Sequence, residues 1–387
     1  MNNNTKIVES YTKNLKEVVN MSTNELLVEV LESFLKIERR EYLDCSNKDK
    51  GSGYYPRIFQ GLSRDSLQIR IPRSRTGEFK PALLELVKRD EDMVKEFALD
   101  LYVSGVSSRD TEKVIGKYFS KQLSHTKIVE LSNEYSQVRK HWEGRNLETK
   151  YKVIFVDAMH IPLRRVDSYS QEAIMIFVGL REDNKREILS FSVAPNESAS
   201  MYEEMLEDLM DRGLKEVDLF VADGLKGLPE AVHRKLPDSE FQHCTVHKKS
   251  NVLNKVRRED KAEVASDLRE VFKLFSKDED EKEGKRRLGE FLEKWKKKYP
   301  NIEKSFKDKR YLFTYTKFDP EIRKYIYTTN SIENLNSRIR KSMRNKYSFK
   351  SWESLNNFLF LVMMEYEEGT FMKYEVNQFR QFKKCYV

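Results

Sequence analysis

Apolar residues recur at two different periods along this chain, and the change of period divides it. Leu26, Leu27, Val30, Leu31, Phe34 and Leu35 follow helical spacing, so most of the first 50 residues are expected to be helix. Lys48-Asp49-Lys50-Gly51-Ser52-Gly53 reads as a linker. Leu67, Ile69 and Ile71 then alternate with Gln68 and Arg70, a short strand closed by Pro72 and followed by Arg73 and Arg75. Over 91–142 three short helices are expected: one ending near Ser104-Gly105, one capped by Ser107 and Asp110 with Val114, Ile115, Tyr118 and Phe119 inward, and one from Ser124 carrying Ile128, Leu131, Tyr135 and Val138. The turn before the third leaves Ser124, His125, Thr126 and Lys127 at its opening, which is helix-turn-helix grammar, although many plain helical hairpins share it.

At Tyr151 the pattern becomes strand-like. Val153–Asp157 is a buried strand ending in a carboxylate, Ala173–Leu180 a second, and Ile188–Val193 a third across the charged turn Arg181–Arg186. A helix over 198–212, a strand Val217–Ala222 ending at Asp223-Gly224, a helix Leu225–Leu236 and a short strand Glu240–Cys244 complete a β-β-β-α-β-α-β order, an α/β core. From Val246 to Lys309 no strand is expected, and Leu288, Phe291, Leu292 and Trp295 mark an amphipathic helix, so this block reads as a helical insertion. A helix starts at Thr328-Thr329-Asn330-Ser331 and runs to about Met343; a last one covers about Trp352–Gly369.

Composition narrows the classes. With 39% hydrophobic residues, 22 Phe and 19 Tyr the chain is not disordered, and with 14 Gly and 9 Pro it is neither collagen-like nor low-complexity. The longest apolar run, around Ala173–Leu180, is far short of the roughly 20 residues a membrane span needs, so no membrane partner is expected. Met-Asn-Asn-Asn-Thr-Lys carries no apolar signal core, and Cys45, Cys244 and Cys385 make no disulfide scaffold; a cytoplasmic protein is expected. Charge is uneven: Lys and Arg against Asp and Glu number 25 to 23 over residues 1–148, 12 to 18 over 149–243, 30 to 17 over 244–350 and 4 to 5 over 351–387. An acidic block followed by a strongly basic one suggests a polyanion partner, against a solvated helical surface as the plain alternative.

Asp157 and Asp223 close two buried strands, the edge where ligand sites of α/β sheets gather. Two carboxylates there suit one or two Mg²⁺ ions, and two such ions about 3.5–4 Å apart serve phosphodiester chemistry. Glu333, in the first turn after the insertion, is the candidate third ligand; its plain alternative is a capping box with Asn330, and for the two aspartates a strand-end cap. Cys244 and His247 lack a second half-site for structural zinc. Arg338, Arg340, Lys341, Arg344 and Lys346 surround a helix whose Ile332, Leu335, Ile339 and Met343 turn inward, and with Lys248 and Lys249 they suit phosphate contacts. Trp295 suits base stacking, but its spacing with Leu288 and Leu292 favours core packing.

The runs Val156-Asp157-Ala158, Phe220-Val221-Ala222-Asp223-Gly224, Cys244-Thr245-Val246-His247 and Thr328-Thr329-Asn330-Ser331-Ile332-Glu333-Asn334-Leu335-Asn336, in this order, resemble the Mutator-type transposases of bacterial insertion sequences, with support from Arg70-Ile71-Pro72-Arg73 and Glu321-Ile322-Arg323. The likeness spans about Gly53 to Gly369. It implies a ribonuclease H-like mixed-sheet core interrupted by an all-helical insertion, preceded by a mainly helical DNA-binding region. It implies a catalytic, metal-holding triad of Asp157, Asp223 and Glu333, 66 and 110 residues apart, using two Mg²⁺ or Mn²⁺ ions. Cys244 and His247 match the family's Cys-x-x-His signature, Arg164 its usual arginine, and Asn336 closes its Asn-x-x-Glu-x-x-Asn string; His160 stands where an aromatic is common.

The expected organisation is 1–52, an N-terminal helical region for oligomerisation or packing; 53–148, DNA binding with the helix-turn-helix at 91–142 and Ser124, Thr126 and Lys127 toward DNA; 149–247, the first part of the core; 248–325, the insertion; and 326–387, the second part with the Glu333 helix. The expected function is a DNA transposase that cleaves element ends and joins the freed 3′-hydroxyl to target DNA, acting as a homodimer on double-stranded DNA in the cytoplasm at the nucleoid. The rivals are a structure-selective metal-dependent nuclease and a non-enzymatic DNA-binding regulator.

Overall fold

A computed structural model describes residues 22–376 except 47, 60–66, 120–122, 165–168, 196–197, 274–279, 307–308, 345 and 347. The chain divides into two compact units, Met1–Ser132 and Asn133–Val387.

In the first unit, helix α1 (Thr23–Cys45) opens on a capping box in which Ser22 and Glu25 satisfy each other's backbone N–H groups. Its Leu35, with Val28 and Leu31, packs on Ile69 and Ile71 of an antiparallel ribbon, β1 (Gly51–Phe59) and β2 (Leu67–Ser74). β1 begins inside the expected linker: it has no alternating apolar pattern, and cross-strand bonding to β2 makes it a strand. Helices α2 (Ala82–Val103), α3 (Ser108–Tyr118) and α4 (His125–Glu134) follow. The expected third helix is broken at Tyr135, and its remainder is a separate helix, α5 (Ser136–Glu143). Helix α5 belongs to the second unit, where Trp142 packs on Phe191 and Phe360 and Arg139 Nε donates to Asn357 Oδ1 at 2.8 Å.

The second unit is α/β. Its sheet has five strands in the order β5-β4-β3-β6-β7: β3 (Lys150–Arg164), β4 (Tyr169–Leu180), β5 (Arg186–Ala194), β6 (Glu216–Ala222) and β7 (Glu240–His243). β3, β4 and β5 are an antiparallel meander, and β6 and β7 run parallel to β3. Side chains alternate between sheet faces. Ile154, Val156, Phe220 and Ala222 face a core shared with Tyr202, Leu206 and Leu209 of α6 (Ala199–Asp211) and Ala231 and Val232 of α7 (Leu228–Lys235). By the same alternation Phe155 and Asp157 on β3, and Val221 and Asp223 at the end of β6, share the opposite face. Between β7 and residue 327 the regular elements among the described residues are helices, α8 (Thr245–Leu253), α9 (Lys261–Val271), α10 (Glu281–Trp295) and α11 (Pro320–Ile326), with short 3-10 turns and a single bridge at Phe318. Helices α12 (Asn330–Met343) and α13 (Trp352–Tyr366) close the unit. Among the described residues no helix is long and apolar enough to cross a membrane.

Glu367, just beyond α13, accepts a hydrogen bond from the backbone N–H of Ile188 on β5. Burial there pushes its carboxyl up to about 7. The folded state therefore holds a proton that the unfolded chain loses near 4.5, so stability falls as pH rises between those values. Glu367→Gln is expected to remove that slope, worth on the order of 2 kcal/mol at pH 8, in denaturant melts across pH 4–8.

Candidate active site

The last parallel pair between β3 and β6 is Val156↔Ala222, so Asp157 and Asp223 lie side by side one residue beyond it on the face opposite α6 and α7. Asp157 is 6% exposed. Burial is the main influence on its carboxyl, which rises to about 6; the cation of His247 opposes the rise and the charge of Asp223 adds to it. Asp223 Oδ1 is buried and has no hydrogen-bond partner among the described residues, while Oδ2 lies 4.0 Å from His247 Nδ1.

Helix α12 brings the third carboxylate. Its N-cap is Thr329, so Glu333 is the fourth helical residue, one past the position a capping box uses. Three residues on, and so on the same helix face, Asn336 is 2% exposed and its Nδ2 donates to Asp157 Oδ2 at 2.7 Å. Buried Ile332, Leu335, Ile339 and Met343 fix the rotation of α12. Glu333 is half-buried. Among the described residues no three His, Cys, Asp or Glu side chains are grouped so as to hold a metal ion. The fold thus sets Asp223 beside Asp157, bonds Asn336 to Asp157 and brings Glu333 in on the same helix as Asn336.

A second set of contacts ties the start of α12 to the sheet. Cys244 follows β7, its N–H bonded to Ala222 O at 2.7 Å, and it is the N-cap of α8. His247, one turn later, places Nδ1 at 3.2 Å from Cys244 Sγ. Thr329 N–H and Oγ1 approach the same sulfur at 3.4 and 3.5 Å, and Thr329 Oγ1 lies 3.4 Å from His247 Nδ1. Thr245 N–H and Oγ1 both donate to Tyr327 O, at 2.8 and 3.1 Å. Burial opposes ionisation of the Cys244 thiol, but hydrogen bonds from His247 and Thr329 and the histidine's charge hold it below its usual range. His247 rises to about 9, first through its bond to Cys244 and against burial, then through the charges of Cys244, Asp223 and Asp157. The pair lies beside the carboxylates, with Asp223 Oδ2 4.0 Å from His247 Nδ1. The role of Thr328-Thr329 as its partner was not read from the sequence; the adjacent Thr-Thr-Asn string was its only signal.

The expected phosphate-binding residues differ in setting. Lys248 Nζ lies 3.5 Å from where a Cβ would stand on Gly224, over the turn that follows Asp223. Lys249 instead lies over the rings of Phe272 and Tyr327, and burial lowers its ammonium below the usual range. Arg340, Lys341 and Arg344 are exposed, whereas Arg338 is tied to Glu365 at 2.6 Å and Lys346 is buried over Phe358. In the first unit Ser124 is exposed and Lys127 Nζ lies 3.8 Å from Glu130. Thr126 is half-buried there. Arg164 ends β3, and its side chain lies outside the described residues. Trp295 is 5% exposed and its Nε1 donates to Asp267 at 2.7 Å, so it is a core residue of the helical block, as its spacing indicated.

The profile of the family described as "Transposase, Mutator family" matches residues 2–373. The transposase for insertion sequence element IS905 of Lactococcus lactis is 31% identical over 343 residues, 89% of this chain and 86% of the relative. That of IS1201 of Lactobacillus helveticus is 28% identical over 91% of this chain and 94% of its own length. That of IS256 in transposon Tn4001 of Staphylococcus aureus is 26% identical over 89% of each. With a family match across nearly its whole length, the chain belongs to the Mutator family of transposases.

Proposed function

We propose that this transposase cuts DNA at the ends of an insertion sequence and joins the freed strand to target DNA through a ribonuclease H-like Asp-Asp-Glu site, the helical block 248–325 being an insertion in that core. The observation that carries the reading is the juxtaposition of Asp157 and Asp223 past the last parallel pair, with Asn336 of the Glu333 helix bonded to Asp157. In the first step a water oxygen bonds to phosphorus at the element's end, and the 3′-oxygen leaves and takes a proton. In the second, that 3′-hydroxyl attacks a target phosphodiester, and the target strand's own 3′-oxygen leaves.

Donor chemistry supports Mg²⁺ or Mn²⁺ here: Asp157, Asp223 and Glu333 offer hard oxygen ligands, and Asp223 Oδ1 is buried with no other partner among the described residues. Bound divalent cations would supply charge stabilisation for the attacking and leaving oxygens of the displacement. The remaining tasks fall to the chain. Asn336 fixes the Asp157 carboxylate, the Cys244–His247–Thr329 contacts hold the first turn of α12 against the sheet, and Lys248 offers a cation to a phosphate beside Asp223. Arg340, Lys341 and Arg344 attract the DNA backbone without reading its sequence, and Ser124, Thr126 and Lys127 face the element end. The protein acts as a homodimer holding two ends. The outer face of α1 supports this, since exposed Leu27, Val30, Phe34 and Ile37 follow the 3-4 spacing of a helix–helix seam.

The test is strand transfer by the full-length protein with pre-cleaved end DNA. Joined product that requires Mg²⁺ or Mn²⁺ is expected; nicking without joining would make the protein a nuclease, and no metal-dependent product at all would leave only a DNA-binding regulator.

A further inference from the structure

We propose that the open end of the β1–β2 ribbon in the first unit is an anchoring surface for the phosphates of duplex DNA, separate from the helix-turn-helix. The inference rests on the transposase reading only in taking DNA as the partner.

Charge within this unit does not sit on its helices. Helices α2, α3 and α4 carry 7 Lys and Arg against 10 Asp and Glu, and at the opening of α4 Lys127 Nζ lies 3.8 Å from Glu130 and His125 Nδ1 3.2 Å from Glu112. Residues 48–75 carry 7 Lys and Arg against 2 acidic residues. One of those two, Asp49, is 8% exposed and turned inward, where it accepts from the backbone N–H groups of Lys50, Arg75 and Thr76 and from Thr76 Oγ1. Its negative charge is thus spent inside the turn, and the surface it leaves is cationic.

The same contacts make this end rigid. Asp49 ties the start of β1 to the end of β2, and Arg39 of α1 crosses both strands, bonding to Gly53 O at 3.2 Å, Arg73 O at 3.5 Å and Tyr54 Oη at 2.8 Å. The Arg39 guanidinium lies 4.7 Å from the Tyr54 ring centre, and that of Arg73 lies 4.4 Å from the Tyr55 ring. An arginine stacked on an aromatic ring is oriented with its N–H edge still available to a phosphate. Arg73 and Arg75 are exposed and form no ion pair among the described residues. Arg70, by contrast, is committed to Glu32 at 2.8 Å. A two-stranded ribbon matches the width of a DNA groove, and fixed cations at its end suit the flanking backbone. Contacts of this kind set position and carry no sequence information, which separates this surface from the one that reads the element end.

The experiment is fluorescence anisotropy of full-length protein on end duplex and on random duplex between 50 and 300 mM salt. Arg73→Gln/Arg75→Gln is expected to weaken both complexes by the same factor and to shrink the slope of log K against log salt by about 2, since each lost phosphate contact removes about 0.9. Arg73→Lys/Arg75→Lys, which keeps the charge, is expected to retain the slope. Circular dichroism melts confirm that both variants are folded. An unchanged slope in the folded Gln variant, while wild type binds, overturns the anchoring surface alone; a wild type that binds neither duplex overturns the transposase reading with it. A loss confined to end DNA also overturns it, because that would make these arginines sequence readers.

Discussion

Asp157→Asn is expected to lower strand transfer by roughly 10³-fold or more while duplex binding stays within about twofold of wild type. The substitution keeps the shape of the side chain and its contact with Asn336, and removes only the negative charge that would hold a cation. On the proposed reading DNA affinity comes from lysines and arginines elsewhere, so the two readouts separate. Asp223→Asn and Glu333→Gln are expected to match it, because on the proposed reading each carboxylate would be a metal ligand and losing any one would disable the site. Stability gives a further signature. Asp157 is 6% exposed and beside Asp223, so its charge is costly to the folded chain in the absence of metal. Asn removes that cost, and the metal-free variant is expected to melt higher than wild type. A carboxylate serving only as a strand-end cap would behave oppositely on both counts, with activity kept and melting temperature lowered by its loss. Near-normal joining by folded Asp157→Asn would sink the assignment.

How much of this was legible in the sequence varies with the distance between partners. The strand through Val153–Asp157 could be read from its buried run, although the expected end at Asp157 is not where it stops. That β3 continues to Arg164 could not, because those residues are strand only by pairing with β4, as in His160↔Ala173 and Pro162↔Gln171. β1 was missed for the same reason: Gly-Ser-Gly-Tyr-Tyr-Pro has the composition of a turn, and only β2 makes it a strand. Asp157 and Asp223 could be placed at one sheet edge from local pattern, but the bond joining Asn336 to Asp157 spans 179 residues and has no local trace. The Cys244–Thr329 contacts likewise span 85 residues. Trp295 was settled by periodicity, because burial on α10 is a local property. Helix periodicity placed Arg338 on the polar side of α12, where it lies, but its ion pair with Glu365 of α13 joins residues 27 apart and has no local trace.

Asn336→Ala is expected to slow strand transfer 10- to 100-fold at saturating DNA, the usual effect of losing a group that orients a ligand rather than being one. Two consequences follow from the geometry. The Asp157 carboxylate loses the donor that fixes Oδ2, and α12 loses a polar tie to β3, so among the described residues the first turn carrying Glu333 keeps its apolar side and the Thr329 contacts with Cys244 and His247. Asn336→Asp is expected to be worse than Ala, because it sets a second carboxylate against Asp157 in a buried site where neither charge is hydrated. A positioning role predicts that kcat falls while KM for DNA is unchanged, and that the metal concentration for half-maximal rate rises. Direct titration of Mn²⁺ into the DNA-free protein should show the same weakening, which separates ligand orientation from loss of folding. If Asn336 served only to fill the core, Ala would lower the melting temperature and the active fraction together, with metal dependence unchanged in the molecules that remain folded. That pattern, or an Asp variant as active as wild type, would remove Asn336 from the site and leave α12 tied to the sheet by packing and the Thr329 contacts.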